Sequence, residues 1–302
     1  MSRAEIKNMG HSVNVRLKNL AVEKKIPFDY LLLRYALERF LFRLSVSPHA
    51  GRFILKGASA FSVWLGPTFR VTRDADLYCS GNSDPEFLLR CFREICQQNV
   101  PPDGIVFDLT TIEASEIKKD QQYRGTRIVF TARIDQARIV LQFDIGFGDS
   151  VFPSAEFLEY PVLLGTERPL IKVYPRYSVI AEKFEAMVTL GMKNSRLKDF
   201  FDVWLLSESF DFDFITLRQA ISLTFNRRKT PLPTELPVAL TEEFYMDKMK
   251  ITQWNAFLRK IAPEKSPKSL EDASKRIRVF LAPVIPSQTT HPNTWKAAKG
   301  WL

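Results

Sequence analysis

The chain has 302 residues, 45% hydrophobic and 25% charged, with a formal net charge of +9. That composition suits a globular protein with a sizeable core and argues against a disordered chain. No long apolar run appears, the start MSRAEIKNMGHSV lacks a signal-peptide core, and Cys79, Cys91 and Cys96 are too few for a disulfide framework, so a cytoplasmic protein without membrane contact is expected.

Residues 1–50 stand at +5 and residues 211–302 at +6, while residues 51–210 stand at −2. An acidic centre between basic flanks suits metal binding beside a polyanion. The pattern predicts a helix over 13–25 and a longer one over 27–44, opened by Pro27. RFILK then reads as a short strand running into the KGASAF turn and a helix through Val63 or Trp64. After a turn at GPTF, RVTRDADLYC alternates as a strand does, and DPEFLLRCFREICQQN reads as a helix capped by Ser83 or Asp84.

Three runs rich in β-branched and aromatic residues, 104–114, 124–134 and 138–148, predict consecutive antiparallel strands. From Tyr177 the period becomes helical. Helices are expected over 178–194, 197–209, 214–228, about 241–261 and 269–282, with the proline-rich TPLPTELP as a linker. The fold class is α/β (α+β): a mixed-sheet core with two N-terminal helices over 1–175, then a helical C-terminal domain over 176–302.

Strand alternation sends Asp74 and Asp76 to one side, where both carboxylates can meet one cation. Asp144, on a neighbouring strand, offers a third. Gathering three acids without a cation is unfavourable, whereas Mg²⁺ takes carboxylate oxygens alongside phosphates and water. Upstream, Gly57 lets backbone approach a phosphate, Ser59 offers a hydroxyl, and the following helix points its N-terminal amides at the anion. Basic clusters at RGTR (124–127) and NRRK (226–229) can contact RNA phosphates, though such clusters are more often solvated. The phenylalanines at helical spacing are core before they are stacking platforms, and His11, His49 and His291 form no catalytic or zinc constellation.

KGASAF, RVTRDADL, QFDIGFGD and VIAEKFEAMVTLGMKNSRLKDFFDVWLL, in that order, resemble the AbiEii/AbiGii-type toxin nucleotidyltransferases, which share a polymerase-β-like core. The resemblance runs from about Phe28 to about Phe257. Ala58 stands where the family's first motif carries a second Gly or a Ser, and Ser59 follows one place later. The resemblance implies metal binding by Asp74, Asp76 and Asp144, a two-Mg²⁺ site, and nucleotide binding by Gly57, Ser59, Lys183 and Arg196. Lys183 would grip the triphosphate, and Asp199 would be required for activity.

The resemblance further implies a toxin that transfers a nucleoside monophosphate from an NTP to RNA, with the 3′ end of tRNA as the expected acceptor. A separate antitoxin protein is then expected as a partner. Two other readings stand beside it: an NTP-binding regulatory module without turnover, and a nucleotidyltransferase acting on a protein or small molecule.

Overall fold

The computed structural model describes residues 3–66, 74–119, 123–261, 263, 265–285, 293–297 and 299–302. Residues 67–69 of the expected GPTF turn, the first residues of the strand expected over 70–79, and His291 lie outside them. The chain forms two compact units: Met1–Gly148 with Glu156–Tyr174, and Asp149–Ala155 with Pro175–Leu302.

The first unit opens with α1 (Arg3–Lys24) and α2 (Phe28–Ser45). Helix α1 begins ten residues before the predicted helix, because its first turns carry helix formers but few apolar residues for a periodicity to register. Then come β1 (Phe53–Lys56), α3 (Gly57–Leu65), β2 (Asp74–Cys79) and α4 (Pro85–Cys96). Asp84 caps α4, accepting from the Phe87 N–H at 3.0 Å. Strands β3 (Ile105–Lys119), β4 (Tyr123–Ile134), β5 (Ala137–Gly146), β6 (Glu156–Glu159) and β7 (Leu170–Val173) complete a sheet of order β3-β4-β5-β2-β1-β7-β6.

The β3-β4-β5 meander is antiparallel, as predicted, while β2 joins β5 in parallel and β1 joins β7 in parallel. Phe40 of α2 seats this sheet. Its ring lies 4.4 Å from Phe143, 5.1 Å from Phe92 and 5.6 Å from Phe130, all fully buried. Each such ring withdraws enough apolar surface to contribute about 2–3 kcal/mol.

Helix α2 is buried on almost every side, charged residues included, so those charges need internal partners. Asp103 accepts from Arg43 through both carboxylate oxygens, at 2.6 and 3.2 Å, and from Arg39 Nε at 3.2 Å. Glu38 accepts from the Leu163 N–H at 2.9 Å and the Thr166 hydroxyl at 3.2 Å. The helix thereby pins two loops to the core.

The second unit contains α5 (Arg176–Leu190), α6 (Leu197–Ser209), β8 (Phe212–Asp213), α7 (Phe214–Arg228), α8 (Glu242–Tyr245), α9 (Lys248–Ile261), α10 (Leu270–Leu281), β9 (Thr294–Lys296) and β10 (Gly300–Trp301). Helix α5 ends four residues short of its predicted end, where Gly191 takes a positive φ of 47°. The helix predicted over 241–261 breaks at Met246, and the Asp247 carboxylate accepts from the Lys250 N–H at 2.9 Å to start α9 afresh. Strands β8, β9 and β10 form a small sheet anchored by buried Trp295, whose indole donates to the Ser207 carbonyl at 2.7 Å.

Burial raises the Glu38 carboxyl from its ordinary 4.5 to about 7, against the lowering effects of the Leu163 N–H and Arg39. Between those values the folded protein keeps a proton that the unfolded chain releases, so Glu38 withdraws stability as pH rises from 4.5 to 7. Glu38→Gln keeps the acceptor for Leu163 and removes the titration. Urea unfolding of both proteins at pH 5 and pH 8 should show the variant gaining up to ~3 kcal/mol relative to wild type at the higher pH.

Candidate active site

Two groups of candidate residues stand one in each unit. In the first, β1 ends at Lys56 and the chain turns into α3 through Gly57, whose φ is +61°. A Cβ at this position would overlap Oδ2 of Asp76 and stand 2.8 Å from its Cγ. Only glycine allows both that backbone angle and that approach. The first turn of α3, with its outward amides, is thus packed directly against the Asp76 carboxylate.

Asp74 is exposed and Asp76 half-buried on one face of β2, with Ala75 buried on the other. Across the parallel pair Asp76 is in register with Asp144, so two like charges occupy neighbouring strands about 5 Å apart. The row continues on both sides: Lys56 of β1 is in register with Asp76, and Arg127 of β4 with Asp144. From β4 to β1 the charges run plus, minus, minus, plus.

Arg127 holds Asp144 with a bidentate fork, Nε to Oδ1 at 2.8 Å and Nη2 to Oδ2 at 3.0 Å. Its guanidinium is held above its usual range, first by the hydrogen bond to Asp144, against partial burial, and then by the charges of Asp144, Asp74 and Asp76. All three acids therefore act on one cation. Lys56 Nζ sits 4.2 Å from the centroid of the Tyr174 ring.

Among the described residues no group of three or more His, Cys, Asp or Glu side chains is arranged to hold a metal ion. Asp74 and Asp76 still fit a hard cation, because Mg²⁺ is usually held by one or two carboxylates plus substrate phosphates and water. Asp144 has lone pairs beyond the two that Arg127 engages, so it can serve a cation and its arginine together. Ser59 is 1% exposed and lines a cavity of about 20 Å³ that Asp74 also lines.

In the second unit, Lys183 of α5 lies between two carboxylates of α6. Its Nζ is 2.5 Å from Asp199 Oδ1 and 2.9 Å from Asp202 Oδ2. Burial alone would lower the lysine, but Asp199 and then Asp202 outweigh it and hold the ammonium above its ordinary range. Asp199 also benefits from the first turn of α6. Arg196 is exposed just before that helix, its N–H donating to the Asn194 side chain at 2.8 Å and its carbonyl accepting from the Asp199 N–H at 2.8 Å.

Sequence reading missed the roles of Arg127 and Asp202. The tight turn after Ile134 pairs that residue with Ala137, and counting back along the hairpin pairs Arg127 with Asp144. That register was available in the sequence. Within the other basic cluster, Arg228 is 2.6 Å from Glu185 and 3.7 Å from both Asp149 and Glu182. One arginine of each cluster is thus paired internally rather than offered to a polyanion.

A family model described as "Nucleotidyl transferase AbiEii toxin, Type IV TA system" matches residues 39–276, a span that includes every candidate residue above. No curated protein matches the chain. Among solved structures, a candidate nucleotidyltransferase from H. pylori shares 15% identity over 86% of this chain and 96% of its own, with a TM-score of 0.48. The JHP933 protein of Helicobacter pylori shares 15% identity over 84% of this chain and 91% of its own, with a TM-score of 0.46.

Two outcomes follow from these charges. Lys183→Met strands Asp199 and Asp202 in a buried site, and urea unfolding at pH 8 should show a loss of about 3–5 kcal/mol. The loss should shrink at pH 5, where the stranded acids take up protons, and a variant carrying Asp199→Asn and Asp202→Asn as well should recover much of it. Arg127→Gln leaves Asp144 beside Asp76 without its counter-charge. Thermal unfolding in chelator should fall by several degrees, and millimolar Mg²⁺ should restore more of the variant's stability than of the wild type's.

Proposed function

The chain belongs to the AbiEii family of nucleotidyltransferase toxins from type IV toxin–antitoxin systems, and we propose that it transfers a nucleoside monophosphate from an NTP to an RNA, the acceptor being the 3′ end of tRNA. The family implies a nucleotide substrate and an antitoxin partner. The observation that carries the reading is the packing of the Gly57 turn against Asp76, with Asp74 and Asp144 beside it. A phosphate-approaching backbone and hard-cation ligands meet at one point of the sheet.

In the reaction the acceptor hydroxyl oxygen bonds to the α-phosphorus, the bond from that phosphorus to the α,β-bridging oxygen breaks, pyrophosphate leaves, and the hydroxyl proton passes to solvent water. Asp74 and Asp76, with Asp144 adjoining, would hold Mg²⁺, which would neutralise the charge that builds on the transferring phosphate. Gly57 and the amides that open α3 bind phosphate oxygens. Arg127 keeps Asp144 oriented and limits the repulsion between Asp144 and Asp76.

Lys183 is assigned to the departing polyphosphate. An ammonium has three donors, and Asp199 and Asp202 take two, leaving one N–H on a cation that stays charged at any working pH. Asp199 is therefore a positioning residue for Lys183. Arg196, exposed and cationic, is assigned to the nucleotide. The basic flanks favour an RNA acceptor through phosphate contacts. Among the described residues no helix is long and apolar enough to cross a membrane, and we assign the protein to the cytoplasm.

The test incubates the protein and its Asp76→Ala variant with Mg²⁺, each α-labelled NTP and bulk tRNA, and resolves the RNA on a denaturing gel. Label should enter tRNA with wild type and fall at least ~100-fold with the variant, about 3 kcal/mol in the barrier. Labelling of protein instead of RNA, or bound NTP with no turnover, would sink the RNA-transfer reading.

A further inference from the structure

The first unit encloses a positive charge with unmet donors. Arg34 of α2 is 4% exposed, and its Nε and Nη2 have no hydrogen-bond partner. These two nitrogens form one edge of the guanidinium, the fork that grips an anion side-on. Both belong to a residue lining the cavity of about 20 Å³ described above. Ser59 lines it too, and its buried hydroxyl likewise has no partner.

The remaining polar lining comes from Tyr30, Ser62, Tyr160, Gln142 and Asp74. Asp74 is the one acid among them, and it is exposed, on the strand face opposite that of buried Ala75. Glu38 follows Arg34 by one helical turn, but its oxygens serve the Leu163 N–H, the Thr166 hydroxyl and Arg39, 3.9 Å away. Burying a guanidinium without a counter-charge costs several kcal/mol, and orphaned donors add to that. The Tyr160 ring faces the guanidinium at 6.0 Å and Glu38 feels its charge, but neither accepts from Nε or Nη2, and water in the cavity would satisfy those N–H groups without adding a counter-charge.

We propose that this cavity is a binding site for a small inorganic anion, held by the Nε/Nη2 edge of Arg34 and the hydroxyl of Ser59. The cavity, about 20 Å³ and open on one side toward Asp74, has room for chloride or a single small oxyanion against Arg34 and Ser59. The occupant ties α2 to α3 at Ser59 and to the start of β2 at Asp74. It therefore bears on the two elements that carry the Gly57 turn and the Asp74–Asp76 pair, without taking part in transfer.

The site can be tested without any assay of transfer. Full-length protein is exchanged into gluconate buffer, and thermal unfolding is followed while chloride, bromide or phosphate replaces gluconate at constant ionic strength. Wild type should show a saturable rise of about 5 °C with chloride and bromide or with phosphate, the effective arm naming the anion. Arg34→Gln should abolish the rise and Ser59→Ala should weaken it. Crystals grown with the effective anion, bromide standing in for chloride through its anomalous signal, should place it against Arg34 and Ser59. If Arg34→Gln does not fold, Ser59→Ala and the wild-type crystals decide. A non-saturating rise shared by wild type and variants, or density showing only water in the cavity, overturns the proposal.

Discussion

Two carboxylates placed side by side by a parallel strand pairing repel each other, and much of the first unit answers that repulsion. The β2–β5 register puts Asp76 next to Asp144, and strand alternation adds Asp74 to the same face. Neighbouring strands supply a cation on either side, Arg127 by a two-point fork and Lys56 by register. Because the fork engages only one edge of Asp144, the bracket steadies the acids without saturating them. Gly57 then carries backbone up to the Asp76 carboxylate. Carboxylates gathered on one strand face in this way are ligands of the kind a hard cation takes alongside phosphate oxygens.

The second unit solves the converse problem. There a lysine is buried, and two acids one helical turn apart on α6 keep it charged. A lysine desolvated without them would lose its proton more readily and serve as a base; with them it is a fixed cation. The cation costs little to hold because both carboxylates come from a single rigid helix, one of them in its first turn, where the helix dipole already favours negative charge. Both halves of the candidate machinery therefore rest on charge compensation fixed by secondary structure rather than by loops.

What was legible in the sequence follows from this. Asp74, Asp76 and the Gly57 turn declared themselves through alternation and glycine placement, which are local signals. Lys183, Asp199 and Asp202 lie on predicted helices, yet nothing in helical spacing says that α5 and α6 face each other there. Strands β6 and β7 went unread because four residues each, EFLE and LIKV, carry no period long enough to register, and β7 exists by pairing with distant β1. The same holds for β9 and β10, three and two residues held by Trp295 and Trp301 against Phe280. Nothing in the apolar spacing of α2 marks Arg34, Arg39 and Arg43 as buried, yet the helix is enclosed on their side too.

Those enclosed arginines change what the net charge of +9 means. Arg39 and Arg43 are spent on Asp103, Arg127 on Asp144 and Arg228 on Glu185, while Arg34 lines a cavity. The exposed cations of the basic flanks are mostly lysines, among them Lys18, Lys24 and Lys25 in the first unit and Lys248, Lys260, Lys265 and Lys268 in the second. Arginine reads planar, bidentate partners, whereas lysine acts as a mobile point charge suited to phosphates. A surface of that kind favours phosphates and distinguishes little by base. If the acceptor is RNA, as proposed above, its selection would have to come from the shape that brings a hydroxyl to the Asp76 carboxylate, and a free 3′ end on a compact RNA would meet that demand better than an internal 2′-hydroxyl hemmed by its own backbone.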